Sequence, residues 1–173
     1  MAGAGPAGPP RTKLAKVVNA PTPYSPQPDE KSVFLAGSID YEAASEGRPS
    51  WRELLIASLS HLPITFYNPS RADWDSTWKE DIADPRFLEQ TTWELDMMER
   101  ATVITLCIHD AKAKAPISLL ELGLGAPSGK MVVACVDGFW RRGNVQVVCQ
   151  RFGIQMLDDP QDLAVAVERK LKQ

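Results

Sequence analysis

From residue 32 onward, short unbroken apolar runs alternate with stretches where apolar residues recur every three to four positions. Residues 32–38, 64–67, 102–108 and 131–136 are runs of the first kind, of the length and β-branched content of buried strands. Residues 154–157 are a candidate fifth. Between them, helical spacing links Trp51, Leu54, Leu55, Ser58 and Leu62 after a Pro49–Ser50 start signal. The same spacing links Leu88, Thr91, Leu95 and Met98, and later Leu163, Val167 and Leu171. Pro116 opens a further helix that Gly123 and Gly125 shorten. Strands alternating with helices predict one α/β domain, an about five-stranded parallel sheet with helices on both faces.

Composition changes near residue 30. Seven of the 14 prolines lie in the first 28 residues, with Gly and Ala dominating the rest of that stretch. Such a segment buries too little apolar surface to offset its ordering entropy. Residues 1–30 are therefore expected to be a flexible tail, ordered at most where Leu14, Val17 and Val18 dock, and residues 31–173 the domain. Arg11, Lys13 and Lys16 precede the first acid, Asp29, as in an organelle-targeting segment, but the prolines spoil the amphipathic helix such a segment needs. The remaining composition is ordinary, at 44% hydrophobic and 24% charged over 173 residues. A net charge of −3 argues against a nucleic-acid polymer as partner. No apolar run approaches the roughly 20 residues of a membrane span, so no membrane partner is expected. Cys107, Cys135 and Cys149 are odd in number and lack CxxC spacing, which suits small buried hydrophobes in a reducing compartment, the cytoplasm.

In parallel sheets ligands bind beyond the carboxyl ends of the strands. That rule selects four segments. After the first strand come Gly37, Ser38 and Asp40, where a small turn lets a sugar or phosphate approach the backbone; a plain turn is the alternative. Neither a P-loop nor a GxGxxG pattern is present. After the second strand come Asn68, Arg71, Asp73, Trp74 and Asp75, opening a long loop over residues 70–85. Trp74 can stack on a flat base and Asp73 or Asp75 can bond a ring or ribose; alternatively an Arg71–Asp pair and tryptophans pin the loop. After the third strand, Ser118 and Glu121 stand near the start of a helix. Glu121 sits among leucines, so it needs a partner or a shifted pKa. After the fourth, Arg141 and Arg142 suit either an anion or acidic loops. On the preceding helix Gln90 and Glu94 lie four apart and share a face beside the core stripe. No His/Cys/Asp/Glu cluster has ligand spacing, so no metal is expected, and no cofactor.

Taken in order, Phe34-Leu35-Ala36-Gly37-Ser38-Ile39, Asn68-Pro69-Ser70-Arg71-Ala72-Asp73-Trp74, Gln90-Thr91-Thr92-Trp93-Glu94 and Phe139-Trp140-Arg141-Arg142-Gly143-Asn144-Val145 resemble the nucleoside 2-deoxyribosyltransferase-like family. The resemblance runs from about residue 32 to residue 153. It implies a flavodoxin-like domain that breaks the N-glycosidic bond of a nucleoside or nucleotide and passes the sugar to another base or to water. By the same resemblance Glu121, in its Glu-Leu-Gly segment, is the nucleophile, Glu94 assists at the sugar or leaving base, and Gly37 and Ser38 form the sugar-proximal turn. The implied partners are the nucleoside or nucleotide, a purine or pyrimidine base, and further copies of the chain in a homodimer or larger assembly. Two positions depart from the family pattern: Phe34 stands where several members have Tyr, and Thr102 where many have Asp. A nucleotide-binding module without chemistry and a hydrolase of another N-glycoside, such as NAD, are the alternatives.

Overall fold

The computed structural model describes residues 14–38, 46–71, 73 and 77–173. Six strands form one parallel sheet: β1 (Lys16–Asn19), β2 (Lys31–Gly37), β3 (Ile64–Asn68), β4 (Val103–Ile108), β5 (Met131–Cys135) and β6 (Gln155–Leu157). Their order is β1-β3-β2-β4-β5-β6. Among the described residues five α-helices accompany them: α1 (Trp51–Ser58), α2 (Pro85–Arg100), α3 (Pro116–Gly125), α4 (Arg142–Phe152) and α5 (Leu163–Leu171). Without β1, the order is that of a flavodoxin-like sheet, whose direction of winding reverses between β2 and β4.

Both faces of the sheet are covered because successive strand residues point to opposite sides. Phe34 and Ala36 of β2 face α2, α3 and α4, joining Trp93, Met97, Leu122 and Val145. Val33 and Leu35 face α1 and α5, joining Trp51, Leu55, Leu163 and Val167. The capping box of Ser50 and Glu53 starts α1 as Pro49–Ser50 suggested. No helix among the described residues is long and apolar enough to cross a membrane.

Two expectations need correction, and one helix was not foreseen. First, the segment read as a tail supplies a sixth strand. β1 pairs with β3 from Lys16↔Thr65 to Asn19↔Asn68, and Val18 and Ala20 are buried. Beyond it, Thr22 O accepts from the Trp93 indole at 2.8 Å. A four-residue edge strand needs only one neighbour, so the short Val17–Val18 pair suffices although the surrounding composition reads as non-structural. Second, α2 turns a different face inward. Leu88 and Leu95 are 44% and 47% exposed, whereas Trp93, Met97 and Met98 are buried. The buried side therefore runs along Gln90, Glu94 and Met97, and the two polar residues belong to it. The unforeseen helix, α4, carries too weak a periodic signal to be expected. Gly143, Asn144 and its valines are poor helix formers, and burying Val145 and Cys149 in the core supplies what propensity does not.

Candidate active site

The winding of the sheet reverses where β2 and β4 end side by side, with Gly37 opposite Cys107. Gly37 has φ +132°, and a Cβ there would lie 2.2 Å from the Cys107 carbonyl oxygen. Only glycine allows this approach. Ser38 then continues the contact, its N–H donating to Cys107 O at 2.9 Å and its Oγ lying 3.1 Å from His109 Nδ1. Gly37→Ala is expected to cost roughly 2–4 kcal/mol of stability, because backbone must move to admit the methyl group. Urea unfolding of the variant measures this; wild-type stability would show that the turn tolerates a side chain.

Two carboxylates from the helices that follow β3 and β4 come together here, Glu121 on the Gly37 backbone N–H and Glu94 within electrostatic reach of Glu121. Glu121 lies in α3, whose Pro116 start and Ala115 at φ 49° swing the chain sharply off β4. Burial, and next the neighbouring Glu94, push its carboxyl up to about 8, while Arg52 and the Gly37 backbone N–H pull the other way. Glu94 is raised too, chiefly by burial, with Gln90 and Arg52 opposing. Gln90 Nε2 donates to Glu94 Oε1 at 2.7 Å and to Pro69 O at 2.8 Å, so one amide ties α2 to the end of β3. Its Oε1 is buried without a partner. Two desolvated carboxyls this close, with Glu94 raising Glu121, cannot both ionise readily, an arrangement that keeps a proton available beside a negative charge.

The family model described as nucleoside 2-deoxyribosyltransferase like matches residues 30–139. The chain belongs to that family. The matched span runs from the start of β2 to just past β5 and contains Gly37, Ser38, Gln90, Glu94, Ser118 and Glu121; β1, α4, β6 and α5 lie outside it. No curated protein matches the chain.

Within this nucleoside 2-deoxyribosyltransferase-like domain the other candidate residues are distributed unevenly. Ser118 is buried in the first turn of α3, three residues before Glu121. Asn68 turns toward the sheet edge, its Nδ2 donating to Asn19 Oδ1 at 2.9 Å and its Oδ1 accepting from Ser70 N. Arg71 forms a bidentate pair with Asp73, both bonds 2.8 Å, reaches Glu89 at 3.2 Å and stacks 4.6 Å from the Trp78 ring. These contacts pin the loop, while Asn19, Ala20, Ser70, Arg71 and Asp73 line a cavity of about 540 Å³ beyond β1 and β3. Asp40, Trp74 and Asp75 lie outside the described residues.

The two departures from the family pattern take different places. Phe34 is wholly buried in mid-strand, against the same helix layer that carries Glu94 and Glu121. Thr102 joins strands: its Oγ1 accepts from Ser32 N at 3.0 Å and its N–H donates to Ser32 O at 3.1 Å. The arginines after β5 act on the protein itself. Arg142 bonds Cys135 O and Asp158, and Arg141 stacks 4.2 Å from the Trp140 ring. Among the described residues no group of three or more His, Cys, Asp or Glu is placed to hold a metal ion.

Sequence reasoning missed Arg52, His109 and Asn19. Arg52 carried a usable signal: it lies three residues before Leu55 and seven before Leu59, on the apolar stripe of α1, so its charge had to be satisfied inside. His109 ends directly beyond β4, at a position the strand-end rule selects. Asn19 had no such signal, because its strand was not foreseen.

Proposed function

We propose that the chain cleaves the N-glycosidic bond of a nucleoside or nucleotide, with Glu121 as nucleophile and Glu94 as acid and base, and transfers the sugar to a second base or to water. The single observation that carries this reading is a pair of desolvated carboxyls at the Gly37–Ser38 turn, Glu121 on the Gly37 N–H and Glu94 close enough to raise it, within the span matched by the family model. Breaking C1′–N builds positive charge on the sugar, and an adjacent carboxylate in a dry site stabilises it strongly. One Glu121 oxygen bonds C1′ as the C1′–N electron pair leaves with the base, which takes a proton from Glu94. An incoming base nitrogen or water then bonds C1′, the C1′–Glu121 bond breaks, and Glu94 accepts the released proton.

The productive pair holds one proton. In the free protein burial favours that proton on Glu121, and the Gln90 hydrogen bond favours charge on Glu94. A sugar acquiring positive charge at C1′ reverses the preference, leaving Glu121 ionised and Glu94 ready to donate. The Gln90 bridge links Glu94 to Pro69, the residue before Ser70 of the cavity beyond β1 and β3, and we assign that cavity to the leaving base. Base release is accordingly expected to be bell-shaped in pH, falling as pH rises through about 8, where the pair loses its last proton. A rate still rising above that point would remove the shared-proton scheme.

We assign the sugar-side contacts to Gly37, Ser38 and Ser118, and the base-side contacts to Arg71, Asp73 and Gln90, with Asn68, Asp40, Trp74 and Asp75 completing the substrate set. The apolar residues exposed along one side of α3, Ile117, Leu120 and Leu124, support a homodimer or larger assembly. Three buried free cysteines support a reducing, cytoplasmic setting. The deciding experiment incubates the protein with ribo- and deoxyribonucleosides, their 5′-monophosphates and NAD, and follows free base, with and without a second base as acceptor. Base release from a nucleoside or 5′-nucleotide is the expected result. A melting temperature that rises with ligand while no base appears would favour the binding module, and release of nicotinamide alone would favour the NAD hydrolase.

A further inference from the structure

Arg52 stands out as a buried cation that the mechanism above leaves unused. It is 7% exposed, although it belongs to α1, on the opposite side of the sheet from α2 and α3. Its guanidinium reaches the end of β2 and donates to three carbonyls there, those of Leu35, Gly37 and Ser38. Nε bonds Leu35 O at 3.0 Å, Nη2 bonds Gly37 O at 2.8 Å and Nη1 bonds Ser38 O at 3.3 Å. Trp51, one residue earlier, adds an indole bond to Ser38 O at 3.0 Å and lies under the guanidinium, 4.5 Å from ring to Cζ. A helix cannot be anchored to a strand end more specifically than by such a fork, since each bond fixes a different peptide plane.

A planar cation in this place does two things at once. It holds the peptide planes on both sides of the Ala36–Gly37 plane, and so brackets the Gly37 N–H that meets Glu121. It also sets positive charge within electrostatic reach of both carboxyls, where little water screens it. We propose that Arg52 is a positioning residue for glycosyl transfer, fixing the Gly37–Ser38 turn from beneath and setting the charge balance of the Glu94–Glu121 pair across the end of β2. This rests on the glycosyl-transfer reading. Its support is the same in direction for each partner: Arg52 favours the ionised form of Glu94 and of Glu121. The other groups facing the pair are Gln90 on α2, the Gly37 backbone on β2 and, past Ser38, His109 at the end of β4.

The test compares Arg52→Met, Arg52→Gln and Arg52→Lys in the full chain, with the panel nucleoside or nucleotide that the wild type cleaves fastest. Three readouts are needed: the pH profile of base release, kcat against KM, and the NMR titration of the side-chain carboxyls in protein labelled with 13C-glutamate. Neutral variants are expected to move both limbs of the profile, and the Glu121 titration, to higher pH. Arg52→Lys is expected to restore the limbs but to lower kcat by about ten- to a hundredfold, because an ammonium cannot hold three carbonyls in the same planes. Unmoved limbs and an unmoved Glu121 titration in a folded neutral variant overturn the proposal. So does a wild-type kcat in Arg52→Lys, which keeps a charge and tests the turn even where Arg52→Met and Arg52→Gln do not fold. A wild type that releases no base from any panel member overturns the glycosyl-transfer reading instead, and the carboxyl titrations then decide the coupling to Arg52 on their own.

Discussion

Glu121→Gln is expected to lower base release by about three orders of magnitude or more while making the folded protein more stable above neutral pH. Both effects have one cause, the removal of a carboxyl whose ionisation the site resists. Gln keeps the shape and an acceptor for the Gly37 N–H, but it can neither carry charge opposite the sugar nor bond C1′. The sign of the stability effect follows from linkage. Glu121 is raised from an ordinary 4.5 to about 8, so between those values the folded protein binds more protons than the unfolded chain. Its contribution therefore becomes steadily less favourable as pH rises through that window. The variant lacks this penalty. Its advantage should be absent below about pH 4, open through the window and level off above about pH 8, reaching a few kcal/mol at about 1.36 kcal/mol per pKa unit. Melting temperatures at several pH values, beside base release, check both halves. Near wild-type release would transfer the nucleophile's role to Glu94. A stability difference that does not grow with pH would show that Glu121 is not held neutral in the folded protein.

Deleting residues 1–28 is expected to cost about 4 kcal/mol or more and to lower the melting temperature by about 10 °C or more. The deletion removes β1, takes Val18 and Ala20 from the core and leaves the Trp93 indole without its Thr22 acceptor. It also uncovers the edge of β3, a row of unpaired peptide groups. Part of the site goes with it, since Asn19 bonds Asn68 and, with Ala20, lines the cavity assigned to the base. Val18→Asp should reproduce much of the stability loss without shortening the chain, by burying an unpaired charge. Denaturant unfolding of both variants measures it. Wild-type stability in the deletion would restore the tail reading and place the edge of the domain at β2.

The fold was legible wherever local pattern and final environment agree. β2, β3, β4 and β5 are buried on both sides, so each reads as a continuous apolar run, and α1, α3 and α5 begin or end on recognisable signals. Glu121 was legible for a related reason: a charge among leucines contradicts its neighbours, and the contradiction marks a place where tertiary surroundings must supply the partner. Arg52 obeyed the same rule on α1 and was overlooked because its stripe also offered Leu54, which the structure leaves 52% exposed.

By itself the sequence determined the alternation of strands and helices, the strand-end segments and the motifs that mark the family, because these depend on side-chain periodicity within a few residues. Which face of α2 turns inward, that residues 16–19 form an edge strand, and that Arg52 reaches through the end of β2 from the far side of the sheet were decided only by the tertiary structure. Leu88 and Leu95 are as apolar as Met97, so no local rule separates them; packing against Phe34, Tyr67 and Ile104 does. The charge balance of Glu94 and Glu121 likewise belongs to neither helix alone. It arises from desolvation and from groups brought together across long stretches of chain, and those distances exist only once the sheet has closed.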